Sequence, residues 1–368
     1  MSGDAGTGVI PPPPRGAGPG PPLRRRLLAL RRRWHAGRAR RLPVPVISIG
    51  NLHLGGSGKT PLVAAIARHL RDADRRVAIL SRGYGRHSRG IVVVSTGDGP
   101  RSTPRIAGDE PFMLSERLPG IAVVVGEDRY RAGAHALEAL SPRPELFLLD
   151  DGFSHLGLER DLDLLVFPAH RPWGNGRLLP FGTLREPLGA TALADAVVLT
   201  GVDGPGTGAG ERLAERLRPF GFAGPGFAAA LIPELAAPGA ASPVLLVTGV
   251  AHPERVLATA RAAGLEVAGH LAFADHHRFP PRSLRRIEAA RARAGAASVV
   301  ATSKDIAKLA GRLSSPLREL GVAAAPEPAF WAWLDDALAR IAETPSGRPA
   351  RARQPSPMTN RRSPPSTD

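Results

Sequence analysis

The chain has 368 residues and 43% hydrophobic content, enough for two domains or for one large domain with tails around a substantial core. It carries no cysteine, which excludes disulfides and thiolate metal sites and fits a reducing compartment. Its formal charge of +16 either reflects an Arg-favouring genome or attracts polyanions: nucleic acid, anionic lipid or phosphorylated substrates.

Residues 1–22 are Gly/Pro-rich, with Pro11 to Pro14 in a row, and predict a disordered tail; residues 346–368, rich in Ser, Pro and Arg, predict another. Across 23–42, Leu23, Leu27, Leu30 and Trp34 fall on one helical stripe while Arg24, Arg25, Arg26, Arg31, Arg32, Arg33, Arg38, Arg40 and Arg41 fill most of the rest. No Asp or Glu occurs between Asp4 and Asp72. Two readings are open. Such a helix suits an anionic membrane interface, where each basic group contributes about 1 kcal/mol; alternatively it packs its Leu stripe on the core. No apolar run reaches the roughly 18 residues that span a bilayer, and no apolar segment follows the basic residues as in a signal peptide. A cytoplasmic protein is expected.

Short apolar runs at 44–49, 77–80, 91–95, 121–125, 146–149, 164–167 and 197–199 predict buried strands, with helical patterns such as 61–71 and 111–117 between them. After the Gly-rich stretch 201–210, a second set begins with strands at 244–248 and 298–302 and helices at 253–263 and 281–294. The alternation predicts an α/β fold: a P-loop NTPase-like parallel sheet with helices on both faces, at 43–220, and a smaller C-terminal α/β domain, at 221–345.

The first strand runs into Gly50-Asn51-Leu52-His53-Leu54-Gly55-Gly56-Ser57-Gly58-Lys59-Thr60 and then a helix. Strand, Gly-rich turn, Lys-Thr and helix form the context of a P-loop, which predicts ATP binding at Gly55, Gly56, Ser57, Gly58, Lys59 and Thr60. Lys59 is expected to reach the β- and γ-phosphates, and the Thr60 hydroxyl to hold Mg2+. His53 stands where the usual pattern has Gly. Leu54 precedes the double Gly where one P-loop subclass carries a signature Lys, so activation by such a Lys from a second copy is not expected. The strand 146–149 ends in Asp150 and Asp151, as a Walker B strand does, and one of these acids is expected to hold magnesium beside the loop. Thr302-Ser303-Lys304-Asp305 comes near a guanine motif, but Lys and Asp are adjacent instead of separated, which favours adenine.

Further strings accumulate in order: Ser81-Arg82-Gly83-Tyr84-Gly85-Arg86, Gly108-Asp109-Glu110-Pro111, Asp128-Arg129, Asp150-Asp151-Gly152-Phe153 with His155, Arg160-Asp161, Leu184-Arg185-Glu186-Pro187, Phe273-Ala274-Asp275-His276-His277 and Lys304-Asp305. Together with the P-loop they cover about Leu23 to Leu313, and over that span the chain resembles the lipid A 4′-kinases (tetraacyldisaccharide 4′-kinases). The resemblance implies transfer of the γ-phosphate of ATP to the 4′-hydroxyl of a lipid disaccharide, with Mg2+, at the cytoplasmic face of the bacterial inner membrane. It implies a peripheral protein whose basic helix meets the anionic membrane surface and whose two domains close over the nucleotide.

A sugar hydroxyl is a weak nucleophile, so a base must take its proton while cations neutralise the transferring phosphoryl group. Following the family pattern, Asp109 is the base candidate; its structural alternative is to cap the helix opening at Pro111. His276, or less favourably His277, is the second-domain candidate that pairs with Asp109, with a metal cluster or plain polar loop as alternatives. Glu110 is a candidate magnesium ligand. Arg185 joins Lys59 in catalysis, while Arg82, Arg129, Asp151 and His155 are candidate substrate or phosphate contacts. Ser154 replaces the family's usual Gln, Phe181 and Thr183 replace a small residue and Pro, and Ser303 replaces Glu. These departures bear on acceptor choice and keep a P-loop kinase or hydrolase for another acceptor as the alternative. A nucleic-acid partner is not expected, because aromatics are only 5% of the chain and no base-stacking platform accompanies the Arg runs. No obligate protein partner is inferred.

Overall fold

The computed structural model describes residues 10–13, 30, 34, 37–202, 204, 208–235, 243–250, 252–275 and 277–343. His276, most of the 23–42 helix, the rest of the 1–22 tail and the 346–368 tail lie outside the described residues.

Twelve strands form one sheet: β1 (Val46–Gly50), β2 (Val77–Ser81), β3 (Val92–Thr96), β4 (Ala122–Val125), β5 (Leu146–Asp150), β6 (Leu162–Pro168), β7 (Ala196–Val202), β8 (Gly226–Leu235), β9 (Val244–Thr248), β10 (Val267–Ala272), β11 (Ser298–Thr302) and β12 (Leu317–Pro326). Their order across the sheet is β10-β9-β11-β12-β8-β7-β6-β1-β5-β2-β4-β3. Neighbours are parallel except β3 with β4 and β8 with β12. The helices are α1 (Lys59–Asp72), α2 (Pro104–Ala107), α3 (Asp109–Arg117), α4 (Arg129–Ala139), α5 (Ala209–Leu217), α6 (Pro253–Ala262), α7 (Pro281–Arg293), α8 (Ser303–Leu309) and α9 (Pro328–Glu343).

The central strands are apolar on both faces, as parallel strands covered by helices must be. Ile47, Ile49, Leu148, Leu164 and Val166 pack with Leu62, Ile66 and Leu70 of α1 and with Phe330 and Leu334 of α9. Alternate residues face the other way: Leu80, Phe147 and Leu149 meet Ala132, Ala136 and Leu137 of α4, and Leu165, Phe167 and Leu199 meet Leu213 and Leu217 of α5. Beyond β8 two further apolar clusters form, around Leu245, Val299 and Ile287 and around Val244, Val300 and Ala260.

The two α/β domains expected to meet near residue 220 share one continuous sheet. β8 pairs in parallel with β7 on one side and antiparallel with β12 on the other, so the two halves share one sheet. The two joining strands are Gly-Phe-Ala-Ala-Ala-Leu-Ile-Pro-Glu-Leu and Leu-Arg-Glu-Leu-Gly-Val-Ala-Ala-Ala-Pro. Ala, Gly and Pro are depleted in strands, so local propensity hides both; pairing with each other and packing of β12 on α1 and β8 on α5 makes them strands. α9 also crosses the expected boundary, since its apolar face lies in the first half's core.

Two N-terminal expectations change. Ile10 is buried among Leu52, Phe153, Phe167 and Trp173, and Trp173 donates its indole N–H to Pro11 O at 2.8 Å, so residues 10–13 are anchored to the core and are not a loose tail. Leu30 and Trp34 are helical, as expected, but 64% and 58% exposed, so these two stripe residues do not pack on the core. No described helix is long and apolar enough to cross a membrane.

Candidate active site

The site lies at the C-terminal ends of β1 and β5, where Ile49 pairs with Asp150. Gly58 caps α1 at φ 78°, a left-handed conformation that favours Gly, and a Cβ there would sit 3.0 Å from Thr200 Oγ1. Thr200 donates to Ser57 O at 2.6 Å, and Asn51 Nδ2 donates to Ser57 Oγ at 3.0 Å. The loop is thus held from the end of β7 and from its own start, leaving Gly55 and Gly56 exposed. His53, in place of the usual Gly, is buried edge-on to Phe167; burial, then Lys59, pushes its imidazole down to about 4. It is a neutral wedge under the loop.

Asp150 continues the strand while Asp151 breaks from it. Asp151 takes φ 54°, a left-handed conformation uncommon for a non-glycine residue, and turns its carboxylate toward the P-loop. Arg185 grips that carboxylate with two N–H bonds, at 2.8 and 2.7 Å, and also donates to Asn51 Oδ1. Lys59 Nζ lies 3.6 Å from the same carboxylate. Burial would raise the Asp151 carboxyl, but the Arg185 hydrogen bonds and the Lys59 charge outweigh it and hold it well below the usual range. Asp150 is the opposite case. Burial first, then the charges of Glu110 and Asp151, push it up to about 7. Ser81 donates to its Oδ2 at 3.3 Å, while Oδ1 is buried without a protein partner.

Asp109 and Glu110 stand at the start of α3, Glu110 within electrostatic reach of Lys59 and Asp151. Gly108 occupies the N-cap position and α3 has no side-chain cap hydrogen bond, so Asp109 is not the cap. It faces Lys308 Nζ at 2.7 Å, and Glu110 pairs with Lys304. Burial would raise Glu110, but the Lys304 charge and hydrogen bond bring it below its ordinary value. Asp305 is fully buried and its Oδ2 accepts from Gly249 N and Thr302 Oγ1, while Lys304 is hydrogen-bonded to Glu110.

A cationic group borders the acids. Arg129 is buried and donates to Glu127 O at 2.7 Å; burial, then exposed Arg82, pushes its guanidinium down to about 10. Its Nε has no hydrogen-bond partner, nor does the buried His155 Nε2. Burial and Arg129 push His155 down to about 4. Among the departures, Ser154 donates to Glu186 at 2.8 Å and Thr183 braces the P-loop by accepting from Leu54 N at 2.8 Å, while Phe181 is exposed. His277 is hydrogen-bonded to Ser283 at 2.9 Å and stacked on Phe273.

The structure thus brings Lys59, Arg185, Asp151 and Asp150 together, with Glu110 near enough to act on Asp150 electrostatically and Asp109 beside it at the start of α3. Lys308, Lys304 and Asn51 complete the arrangement without being among the expected site residues. Asn51 sits inside the P-loop string, and the two lysines fall four apart on α8, yet neither signal tells which acid they meet. No group of three His, Cys, Asp or Glu among the described residues forms a metal cage. Magnesium needs none, since it takes one or two carboxylates together with phosphate oxygens and water. The orphaned Oδ1 of Asp150 and the Thr60 hydroxyl at the start of α1 fit that demand.

A P-loop beside an acid-tipped strand, facing a second acid pair, defines an ATP-using phosphotransferase. Residues 22–339 match the family model for tetraacyldisaccharide-1-P 4'-kinase. The chain belongs to that family, and it is an ATP-dependent kinase acting on a lipid disaccharide. A tetraacyldisaccharide 4'-kinase of Geobacter sulfurreducens is 40% identical over 311 residues, 82% of this chain and 85% of its own length. One from Chromobacterium violaceum is 42% identical over 287 residues, 77% and 78% of the two chains. The crystal structure of LpxK from Aquifex aeolicus in complex with ATP is 32% identical, with a TM-score of 0.65, covering 86% of this chain and 95% of that one.

Proposed function

We propose that Asp109 is the general base and that Lys59 and Arg185 supply the fixed positive charge for transfer to the 4′-hydroxyl of a tetraacyldisaccharide 1-phosphate. The observation that carries this reading is the Lys59–Asp151–Arg185 cluster, with Glu110, the neighbour of Asp109 in α3, within electrostatic reach of Lys59 and Asp150. The acceptor oxygen bonds to the γ-phosphorus, the bond from that phosphorus to the ADP oxygen breaks, and the hydroxyl proton passes to the Asp109 carboxylate. Lys59 meets the growing charge on the bridging and γ oxygens. Arg185, gripping Asp151, keeps Lys59 and Asn51 in register at little reorganisation cost. Thr60 and Asp150 are the residues that would hold Mg2+, with Glu110 close behind; the bound ion supplies charge neutralisation between the phosphates. His276 is proposed to orient Asp109 from the second half, since His277 is engaged with Ser283.

Arg82, Arg129 and His155 are proposed to receive the phosphorylated acceptor, a reading supported by the unpartnered Arg129 Nε and His155 Nε2. The exposure of Leu30 and Trp34 supports a peripheral position of the basic helix on an anionic surface, at the cytoplasmic face of the bacterial inner membrane. No protein partner is required by this scheme.

The test is transfer of label from γ-labelled ATP to a tetraacylated disaccharide monophosphate in detergent, with and without magnesium. Magnesium-dependent labelling of the lipid, absent in Lys59→Ala, is the expected result; steady ATP hydrolysis with unlabelled lipid would assign another acceptor. For the surface, Leu30→Ser/Trp34→Ser should weaken binding to phosphatidylglycerol vesicles, and unchanged binding would remove the helix from that role.

A further inference from the structure

We propose that Lys308 is a positioning residue for the phosphoryl transfer: from the far half of the molecule it orients the Asp109 carboxylate, with Lys304 doing the same for Glu110. The inference rests on Asp109 being the general base. The two acids and the two lysines come from helices almost two hundred residues apart, and they meet two by two. Lys308 Nζ lies 2.7 Å from Asp109 Oδ2 with both side chains largely buried, and Lys304 is hydrogen-bonded to Glu110 Oε1. Spacing explains the match. Lys304 and Lys308 are four residues apart and so share one face of α8, while α3 presents consecutive acids from its first turn.

Each helix is fixed in its own half. Leu114 of α3 is buried in the first half's core, and Leu309 of α8 is buried with Ile306 packed on the second half's core. The start of α8 is locked by Asp305, whose Oδ2 accepts from Gly249 N at the end of β9 and from Thr302 Oγ1. An ammonium group on a helix held this firmly restricts where the Asp109 carboxylate can point. A base needs orientation as much as proximity, since misplacement by a fraction of a bond length costs rate.

Lys308→Met, which keeps the aliphatic stem, and Lys308→Arg are to be compared with wild type, with Asp109→Asn and with the double variant Asp109→Asn/Lys308→Met. Lipid phosphorylation is followed under saturating ATP. Lys308→Met should lose roughly tenfold or more in kcat, a part of the 10²–10⁴-fold that general-base catalysis provides, with the KM for ATP unchanged. Lys308→Arg should recover most of that loss. In the Asp109→Asn background Lys308→Met should cost nothing further, because a residue acting through Asp109 has nothing left to act on. An undiminished kcat in Lys308→Met, or the same fold-loss with Asn at 109, would overturn the proposal. Full activity in Asp109→Asn would instead overturn the base assignment beneath it. Near-ultraviolet circular dichroism and the ATP KM of Lys308→Met separate either result from misfolding: a raised ATP KM together with a lost spectrum would also count against a positioning role.

Discussion

The two walls of the candidate site are built in different ways. The nucleotide wall is contiguous at its centre, where β1, the P-loop and α1 follow one another in the chain, while β5, with Asp150 opposite Ile49, and Arg185 come from further along. Its charged groups hold each other, with Arg185 on Asp151 and Lys59 beside it. The acceptor wall is assembled from afar, because Asp109 and Glu110 meet lysines from the other half of the sheet.

Breaking the nucleotide wall should have the largest effect. Lys59→Ala removes the charge aimed at the phosphates and should lower kcat by roughly 10²–10³-fold or more, with weaker ATP binding; near-normal turnover in the transfer assay would dissolve the distinction between the walls. Asp109→Asn sharpens it. Turnover should fall roughly 10²–10⁴-fold with ATP binding by calorimetry unchanged, as the proposed general-base role of Asp109 requires. A matching loss of ATP affinity would move Asp109 to the other wall.

Stability changes should be smaller. At Gly152 a Cβ would sit 2.6 Å from Leu149 Cβ and 2.8 Å from Ser48 Oγ, so Gly152→Ala should destabilise by about 1–3 kcal/mol in urea unfolding. Wild-type stability there would mean that the nucleotide wall yields more easily than its packing implies. The smallest effect concerns pH. Asp150 is raised to about 7 by burial, then by Glu110 and Asp151, so the native state binds its proton more tightly than the unfolded chain. The stability this contributes is full below the unfolded carboxyl range and is lost as pH rises through about 7. Without nucleotide, Asp150→Asn should therefore flatten the fall in melting temperature between pH 5 and 8. A parallel fall in both proteins would remove Asp150 as its source.

Much of the nucleotide wall is legible in the sequence, and the acceptor wall is only half so. The strands at 244–248 and 298–302 agree with the structure to the residue, and the other predicted runs fall on β1 to β7. β8, β10 and β12 escape notice because their Ala- and Gly-containing segments lack the β-branched runs that mark the rest. Missing β8 and β12 separates the halves on paper, whereas their pairing joins the halves in space. Likewise Asp109 and Glu110 stand out as a string, but the string cannot show that lysines hold them.

The sequence by itself determined the class of chemistry. A P-loop is made by a short contiguous run whose glycines and helix start act locally, and an acid-tipped strand is equally local, so both survive in one dimension. Only the tertiary structure decided that the sheet is continuous, that Asp151 turns away from its strand toward Arg185 while Asp150 stays buried with an orphaned oxygen, and that Lys304 and Lys308 reach Glu110 and Asp109. The physical reason is common to all three. Strand pairing, burial and ion pairing depend on which surfaces meet, and residues nearly two hundred positions apart meet only through the packing of the whole fold.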